Sequence, residues 1–359
     1  MPKKGDKDNG SDGKTISGAR RVSLKELAVH TGLSQGTLSV VLNNTERARS
    51  IPQITKERIF KAALEFNYRP NYFARSLRAN RSFTIGVIAA ELSDGYCSMI
   101  LNGIEAGSTG QGYFYLNTSH LHRKDLLEHN SHMLIERQVE GIITIDTPIR
   151  FECHLPIVSI AGHEEIEGIT NVVLDHQKAA ELGVGHLFDL GHRQIAVIKG
   201  QDFSSDSKVR WETIVRSANK RDIPIDEKLI TQLEGVNPSP EVGFIATKKL
   251  LANKKPFTAI FAFNDMSAIG AIRALQEAGL RVPEDVSLVG FDDLHIAAYN
   301  QPSLTTIRQP LFEMGKLSAQ TLLKNLSKLE NKEEISKIEM VEPELIVRNS
   351  TAKVKNSKS

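Results

Sequence analysis

The sequence predicts a small all-α helix-turn-helix module followed by a larger α/β module of two doubly wound subdomains. Three observations carry that prediction. Residues 1–82 hold 16 Lys and Arg against 7 Asp and Glu, while the other 277 hold 29 against 36. Apolar residues recur with a helical period through Phe66, then switch from Thr84 onward to short apolar runs alternating with amphipathic stretches. The length of 359 residues admits two or three domains at roughly 100–200 residues each.

Residues 1–19 are Lys, Asp, Gly and Ser with almost nothing apolar, which predicts a disordered tail. Three short helices follow over residues 20–68. Ser23-Leu-Lys-Glu26 spells a capping box, with Leu24, Leu27 and Ala28 on one face. Gly32 breaks that helix, and Ser34 caps the next, whose apolar stripe is Leu38, Val41 and Leu42. After the polar run NNTERARSIPQI, Thr55 is expected to cap a third helix carrying Ile59, Ala63 and Phe66, and Pro70 to stop it.

A helix, a tight turn containing Gly and a second helix is the pattern that lays the second helix in the DNA major groove, N-terminal residues at the base edges. Those residues are Ser34, Gln35, Gly36 and Thr37, with Ser39 one turn on. Gln can bridge adenine N6 and N7, Ser and Thr can bond bases or phosphates, and Gly allows close approach. Any three-helix bundle shares this periodicity. The charge separates the two readings, because only four of the 16 cations lie in the first 19 residues.

Beyond Thr84, the runs TIGVIAA, YFYLN, GIITI, PIVSIA, QIAVIKG, FTAIFAF and VSLVGF read as buried strands. Amphipathic helices are expected at 124–138, 176–190, 241–252, 265–278 and 311–329. Buried strands alternating with helices imply parallel sheets covered on both faces. So many strands suggest two subdomains, with residues 350–359 a flexible polar tail. Such folds bind small molecules at the carboxyl ends of their strands. Asn264 follows FTAIFAF, Asp292 follows VSLVGF, and Arg210 lies beyond QIAVIKG. Tyr96, after TIGVIAA, could stack on a ligand ring or belong to the core. Asn264 and Asp292 could equally be turn or cap residues, and Asp265 is placed to cap the helix MSAIGAIRALQEAG.

The run VSLKELAVHTGLSQGTLSVVLNN, followed by NYRPNYFARSLRANRSFTIGVI, resembles the LacI/GalR family of bacterial transcriptional regulators. The resemblance continues through LGHRQIAVIKG, FAFNDMSAIGAIRALQEAGLRVPEDVSLVGFDDL and SLTTIRQP, covering residues 20–349. It implies a headpiece at 20–68, a hinge helix and linker at 69–82, and an effector domain at 83–349 of two periplasmic-binding-protein-like subdomains. It implies a homodimer on pseudo-palindromic operator DNA, acting as a repressor under control of a small effector such as a sugar or sugar derivative. Leu77 would be the wedge that enters the minor groove and kinks the duplex, with Arg75, Arg78 and Arg81 on phosphates. Arg210, Asn264 and Asp292 match family positions that bind effectors, although Thr213 replaces a Gly in the Arg210 motif. Val40 stands where many members carry a long basic side chain, and the loop ERARSIPQI is longer than in familiar members.

Other classes find less support. No apolar run approaches the roughly 20 residues needed to span a bilayer. MPKKGDKDNGSDGKT has no apolar core, so a cytoplasmic protein is expected rather than a secreted solute-binding one. Cys97 and Cys153 supply neither a disulfide framework nor a zinc site. His120, His122, His129 and His132 cluster in sequence, but no Cys or carboxylate completes a convincing metal set, so no metal is expected. Gly183-Val-Gly185 falls inside a predicted helix, and no nucleophile elbow or P-loop appears. An α/β enzyme with an added basic arm is therefore disfavoured, and no cofactor is expected.

Overall fold

The computed structural model describes residues 22–43, 46–68, 76, 81–93, 95–236, 239–331 and 333–354. The chain divides into two compact units, the division falling between Arg81 and Ser82. The tail read over 1–19 lies outside the described residues, as do Arg75, Leu77 and Arg78.

In the first unit, α1 (Leu24–Thr31), α2 (Gln35–Leu42) and α3 (Gln53–Glu65) enclose Leu27, Leu38, Val41, Ile59 and Ala62. Ser23 and Glu26 complete the capping box, the Ser23 amide donating to Glu26 at 2.7 Å and the Glu26 amide to Ser23 Oγ at 3.2 Å. Gly32 ends α1 at φ +59°, the left-handed region that glycine enters without steric cost. The third helix departs from expectation. It starts after Pro52, which lends no side-chain cap, and Thr55 sits within the first turn, its amide donating to the Pro52 carbonyl at 3.0 Å. Proline already holds φ near the helical value, so the turn can begin there without a hydroxyl cap. The preceding loop holds a 3-10 turn, Glu46–Ser50, that buries Ala48.

The second unit contains two six-stranded sheets. The first lobe orders its strands β11-β5-β4-β3-β1-β2, all parallel: β1 (Thr84–Ala89), β2 (Phe114–Ser119), β3 (Ile142–Ile145), β4 (Ile157–Ile160), β5 (Ile169–Leu174) and β11 (Ile338–Val341). The second orders them β12-β10-β9-β8-β6-β7: β6 (Ile195–Lys199), β7 (Ile230–Gln232), β8 (Ala259–Ala262), β9 (Ser287–Asp292), β10 (Thr305–Arg308) and β12 (Glu344–Ile346). Only the β10–β12 pair in that sheet is antiparallel. Helices α4 (Gly95–Thr109), α5 (Lys124–Glu136) and α11 (Leu311–Glu330) cover the first sheet. Helices α6 (His176–Asp189), α7 (Ser205–Asn219), α8 (Pro240–Ala252) and α9 (Asp265–Glu277) cover the second, with the short α10 (His295–Tyr299) after β9. The chain crosses between lobes three times: after β5, after β10 and after β11.

The polar tail expected from residue 350 is corrected as far as Val354. Ser350 is fully buried, accepting from the Thr305 amide at 2.8 Å and donating to the Leu288 carbonyl at 2.6 Å. The Leu288 amide returns a bond to the Ser350 carbonyl at 2.7 Å, and the Val354 amide reaches the Leu190 carbonyl at 2.9 Å. A polar composition looked like fraying, but here the polar atoms pair with backbone groups that the β9 and β10 termini leave open.

The helix α9 is capped by Asn264, not Asp265. Asn264 Oδ1 accepts from the Ser267 amide at 2.9 Å while Ser267 Oγ accepts from the Asn264 amide at 3.1 Å. Asp265 turns inward instead, accepting from Thr306 Oγ1 at 2.6 Å and the Leu294 amide at 2.8 Å. Burial outweighs those donors and pushes its carboxyl up to about 7. The folded chain therefore keeps a proton that an unfolded carboxyl of pKa about 4 would release. Stability is expected to fall as pH rises from about 4 to about 7, and to level off above. Asp265→Asn, a neutral isostere of the protonated carboxyl, removes that slope, so urea unfolding of variant and wild type should differ least below about pH 4 and most above about pH 7. An unchanged slope in the variant would assign the pH dependence elsewhere.

Candidate functional site

The exposed start of α2 presents Ser34, Gln35 and Gly36 to solvent, with Thr37 and Ser39 half-buried. Ser34 Oγ accepts from the Thr37 amide at 3.1 Å and meets Thr37 Oγ1 at 2.9 Å, so both hydroxyls are positioned by the cap. Asn43 Nδ2 donates to the Ser39 carbonyl at 2.8 Å and to its Oγ at 3.3 Å. A Cβ on Gly36 would meet nothing closer than Ser34 Oγ at 3.6 Å. Nothing among the headpiece's described residues demands glycine there. The space it leaves opens outward.

In the second unit a cleft is lined by residues at or just after the carboxyl ends of β1, β3, β6, β8 and β9. All four residues singled out from the sequence line it: Tyr96, Arg210, Asn264 and Asp292. Asn264 also serves as the helix cap. Trp211 is not among the lining residues; it packs on the second lobe's core beneath the Lys199 ammonium.

Arg210 is 4% exposed and held through both terminal nitrogens, while its Nε is buried with no hydrogen-bond partner among the described residues. Its Nη2 donates to Asp206 Oδ2 at 2.9 Å and its Nη1 to the Phe263 carbonyl at 2.5 Å. Its guanidinium lies 3.7 Å from the Phe291 ring centroid and 4.4 Å from that of Phe263. Asp206 Oδ1 meanwhile meets His163 Nε2 at 2.7 Å and His176 Nε2 at 3.1 Å. Burial alone would raise the Asp206 carboxyl, yet His176, His163 and Arg210 together hold it well below the usual carboxylate range. The i, i+4 spacing of Asp206 and Arg210 on α7 was readable in the sequence. The two imidazoles were not, since they arrive from 43 and 30 residues away.

His163, His176 and Asp206 place three potential metal-ligand atoms within 4.8 Å of one another, a grouping the sequence did not suggest. Two features favour an ion-pair hub over a metal site. The guanidinium already occupies the second oxygen of the carboxylate. His176 Nδ1 is buried with no partner, whereas a ligating imidazole almost always donates its other N–H. The histidine cluster read from sequence separates: His120 is buried on Thr147 Oγ1 at 3.2 Å, while His129 and His132 are exposed on α5. Burial lowers His120 to about 4 and lowers His122 as well, leaving both uncharged at neutral pH.

Among the described residues, Leu294 and Met266 of the second lobe pack on the first lobe's core, and three further contacts tie the lobes across the cleft. Asp146 Oδ1, at the end of β3, accepts from the Ser205 amide at 2.9 Å and its hydroxyl at 2.6 Å at the start of α7. His163, beyond β4, meets Asp206 as above, and the His122 ring packs 3.9 Å from Phe203. Asp146 and Asp292 both hold positive φ, +43° and +108°, conformations that cost energy in a non-glycine residue and gather at functional sites. Asp292 is kept there by its neighbour: Asp293 bridges Arg308 at 2.7 Å and Arg348 at 2.6 Å, while Gln309 Nε2 donates to Asp292 Oδ1 at 2.6 Å.

A three-helix unit with a capped second helix, followed along the chain by a two-lobed α/β body with a cleft at its strand ends, has the makeup of a DNA-binding regulator. Comparison with known proteins gives the same class. Residues 23–71 match the family description "Bacterial regulatory proteins, lacI family", and residues 184–351 match "Periplasmic binding protein-like domain". The HTH-type transcriptional repressor PurR of Haemophilus influenzae is 31% identical over 340 residues, covering 92% of this chain and 99% of its own. That of Pasteurella multocida is 32% identical, covering 91% and 98%. Among solved structures, the lac repressor dimer bound to operator and the anti-inducer ONPF superposes with a TM-score of 0.79 at 26% identity, over 93% of this chain and 100% of that one. A LacI family regulator from Enterococcus faecium with bound ribose gives 0.65 at 26% identity, over 76% and 100%.

The chain belongs to the LacI family of bacterial regulatory proteins. It is a DNA-binding transcriptional regulator. Among its described residues no helix is long and apolar enough to cross a membrane.

Proposed function

We propose that the chain works in the cytoplasm as a homodimeric, non-catalytic repressor whose grip on a pseudo-palindromic operator is set by a small polar effector in the cleft. The observation that carries this reading is the convergence of Tyr96, Arg210, Asn264 and Asp292, taken from four separate segments, on one cleft bridged by interlobe bonds. A ligand that favours one lobe orientation biases operator binding by its differential affinity for the two states. Ser34, Gln35, Gly36, Thr37 and Ser39 read bases or position the helix, and Arg75 and Arg78 contact phosphates. Leu77 wedges the minor groove.

The effector arm is tested by titrating sugars, sugar phosphates and purines against wild type, Arg210→Ala and Asp292→Ala, by calorimetry and by operator release. A ligand of this cleft is expected to lose about 1–3 kcal/mol of binding in each variant, as buried polar groups lose partners. Equal binding to all three proteins would make both residues structural. Light scattering is expected to give a dimer, and a stable monomer at micromolar concentration, with or without operator, would overturn the assembly.

A further inference from the structure

The cleft carries a charge imbalance that narrows its ligand. Among the described lining residues are four carboxylates, Glu91, Asp146, Asp206 and Asp292, and one guanidinium, Arg210. His122, the imidazole in the same lining, is held neutral by burial. Arg210 would ordinarily be the anchor for a phosphate or carboxylate. Here its charge is matched in place by Asp206 at 2.9 Å, and the Phe263 and Phe291 rings lie 4.4 and 3.7 Å from it. Turning it to an anionic ligand would take the guanidinium from the buried Asp206 and leave that carboxylate to His163 and His176 alone.

The field at the cleft wall has the same sign. Burial raises the Tyr96 hydroxyl well above its ordinary range, and Asp206, Asp146 and Asp292 raise it further, with Arg210 opposing them. Asp146 is likewise raised by desolvation and then by Asp206. Its Oδ1 takes both bonds from Ser205, neutral donors from an amide and a hydroxyl. The rings of Tyr96, Phe203 and Phe263 line the same space. Aromatic faces beside carboxylates suit hydroxyl donors and ammonium groups and repel anions.

We propose that this cleft selects an uncharged or ammonium-bearing polyhydroxylated ligand and rejects the phosphate and carboxylate counterparts of that ligand. The proposal rests on the reading of the cleft as the effector site, and it excludes sugar phosphates from the candidate effectors.

Two measurements on the full-length chain test it. The first needs no effector: Met266→Cys inside the cleft and Val236→Cys at its exposed edge each introduce a thiol. Each variant is treated with a trimethylammonium-bearing and a sulfonate-bearing alkyl methanethiosulfonate, and modification at that position is followed by mass spectrometry. Relative to free cysteine, the cationic reagent is expected to react about ten-fold faster at position 266, since cleft potentials reach several kT. The bias should be smaller at position 236 and should shrink at both when Asp146→Asn is added. The second compares glucose, galactose, ribose and adenosine with their phosphate esters by calorimetry. Any member that binds is expected to exceed its ester at least ten-fold, and to protect the position-266 thiol. An absent or reversed reagent bias at position 266, or an ester binding more tightly than its parent while protecting that thiol, overturns the proposal. Binding that leaves the thiol unprotected tells instead against the cleft as effector site.

Discussion

Asp206→Ala is expected to destabilise the second unit by about 3–5 kcal/mol, the cost of breaking a buried ion pair by removing one partner. The substitution leaves the Arg210 guanidinium, 4% exposed, with the Phe263 carbonyl and two ring faces but no counter-charge. It also takes the acceptor from His163 and from His176, whose Nδ1 already lacks a partner. Asp206→Asn keeps one acceptor and should cost less. The double variant Asp206→Ala/Arg210→Met should recover part of the loss, because it removes the stranded charge as well. Urea unfolding of the three proteins measures the coupling. A loss below about 1 kcal/mol for Asp206→Ala, as exposed pairs give, would mean that water reaches the hub and that it is not a buried pair at all.

Gly36→Ala should separate folding from recognition. Alanine is favoured over glycine within a helix by about 1 kcal/mol, and the added methyl meets no atom of the headpiece closer than 3.6 Å. Thermal unfolding of the headpiece should therefore be unchanged or slightly raised. Operator affinity should nevertheless fall about ten-fold or more, because on the proposed function the methyl occupies space through which α2 approaches the bases. Gln35→Ala, by contrast, should keep non-specific affinity and lose about 1–3 kcal/mol of discrimination at one base pair in each half-site. Competition binding on operators varied at single positions distinguishes the two. Unchanged affinity in Gly36→Ala would place this turn of α2 away from the groove.

Legibility followed range along the chain. The Ser23–Glu26 box, the left-handed Gly32 and the Ser34 cap depend on residues within four positions of each other, and each stood as read. Thr55 was misread because a proline three residues earlier already set the helix entry. Asp265 and Asn264 exchanged roles because a cap and a buried carboxylate are chemically alike in sequence; only the fold brings Thr306 and the Leu294 amide to the second of them. In the cleft, motif positions led to Arg210, Asn264 and Asp292, while His163, His176, Asp146 and Gln309 went unremarked. Each of these four meets its partner over separations of 17 to 59 residues. No local pattern marks a residue whose partner the topology supplies.

The three crossings between lobes bear on how the chain emerges from the ribosome. The first lobe opens with β1 at Thr84, yet its helix α11 and edge strand β11 come from residues 311–341. At about 5–20 residues per second, the strands β1 to β5 wait on the order of ten to thirty seconds for those last pieces. During that interval β5 has no β11 at its side and leaves a row of backbone donors and acceptors unpaired. Such an edge invites another nascent chain. The headpiece, whose described core is complete by Tyr68, faces no such delay. Translation therefore yields a headpiece able to fold well before the first lobe is complete, and on the proposed function a stalled or truncated product ending before α11 would carry α2 without effector control.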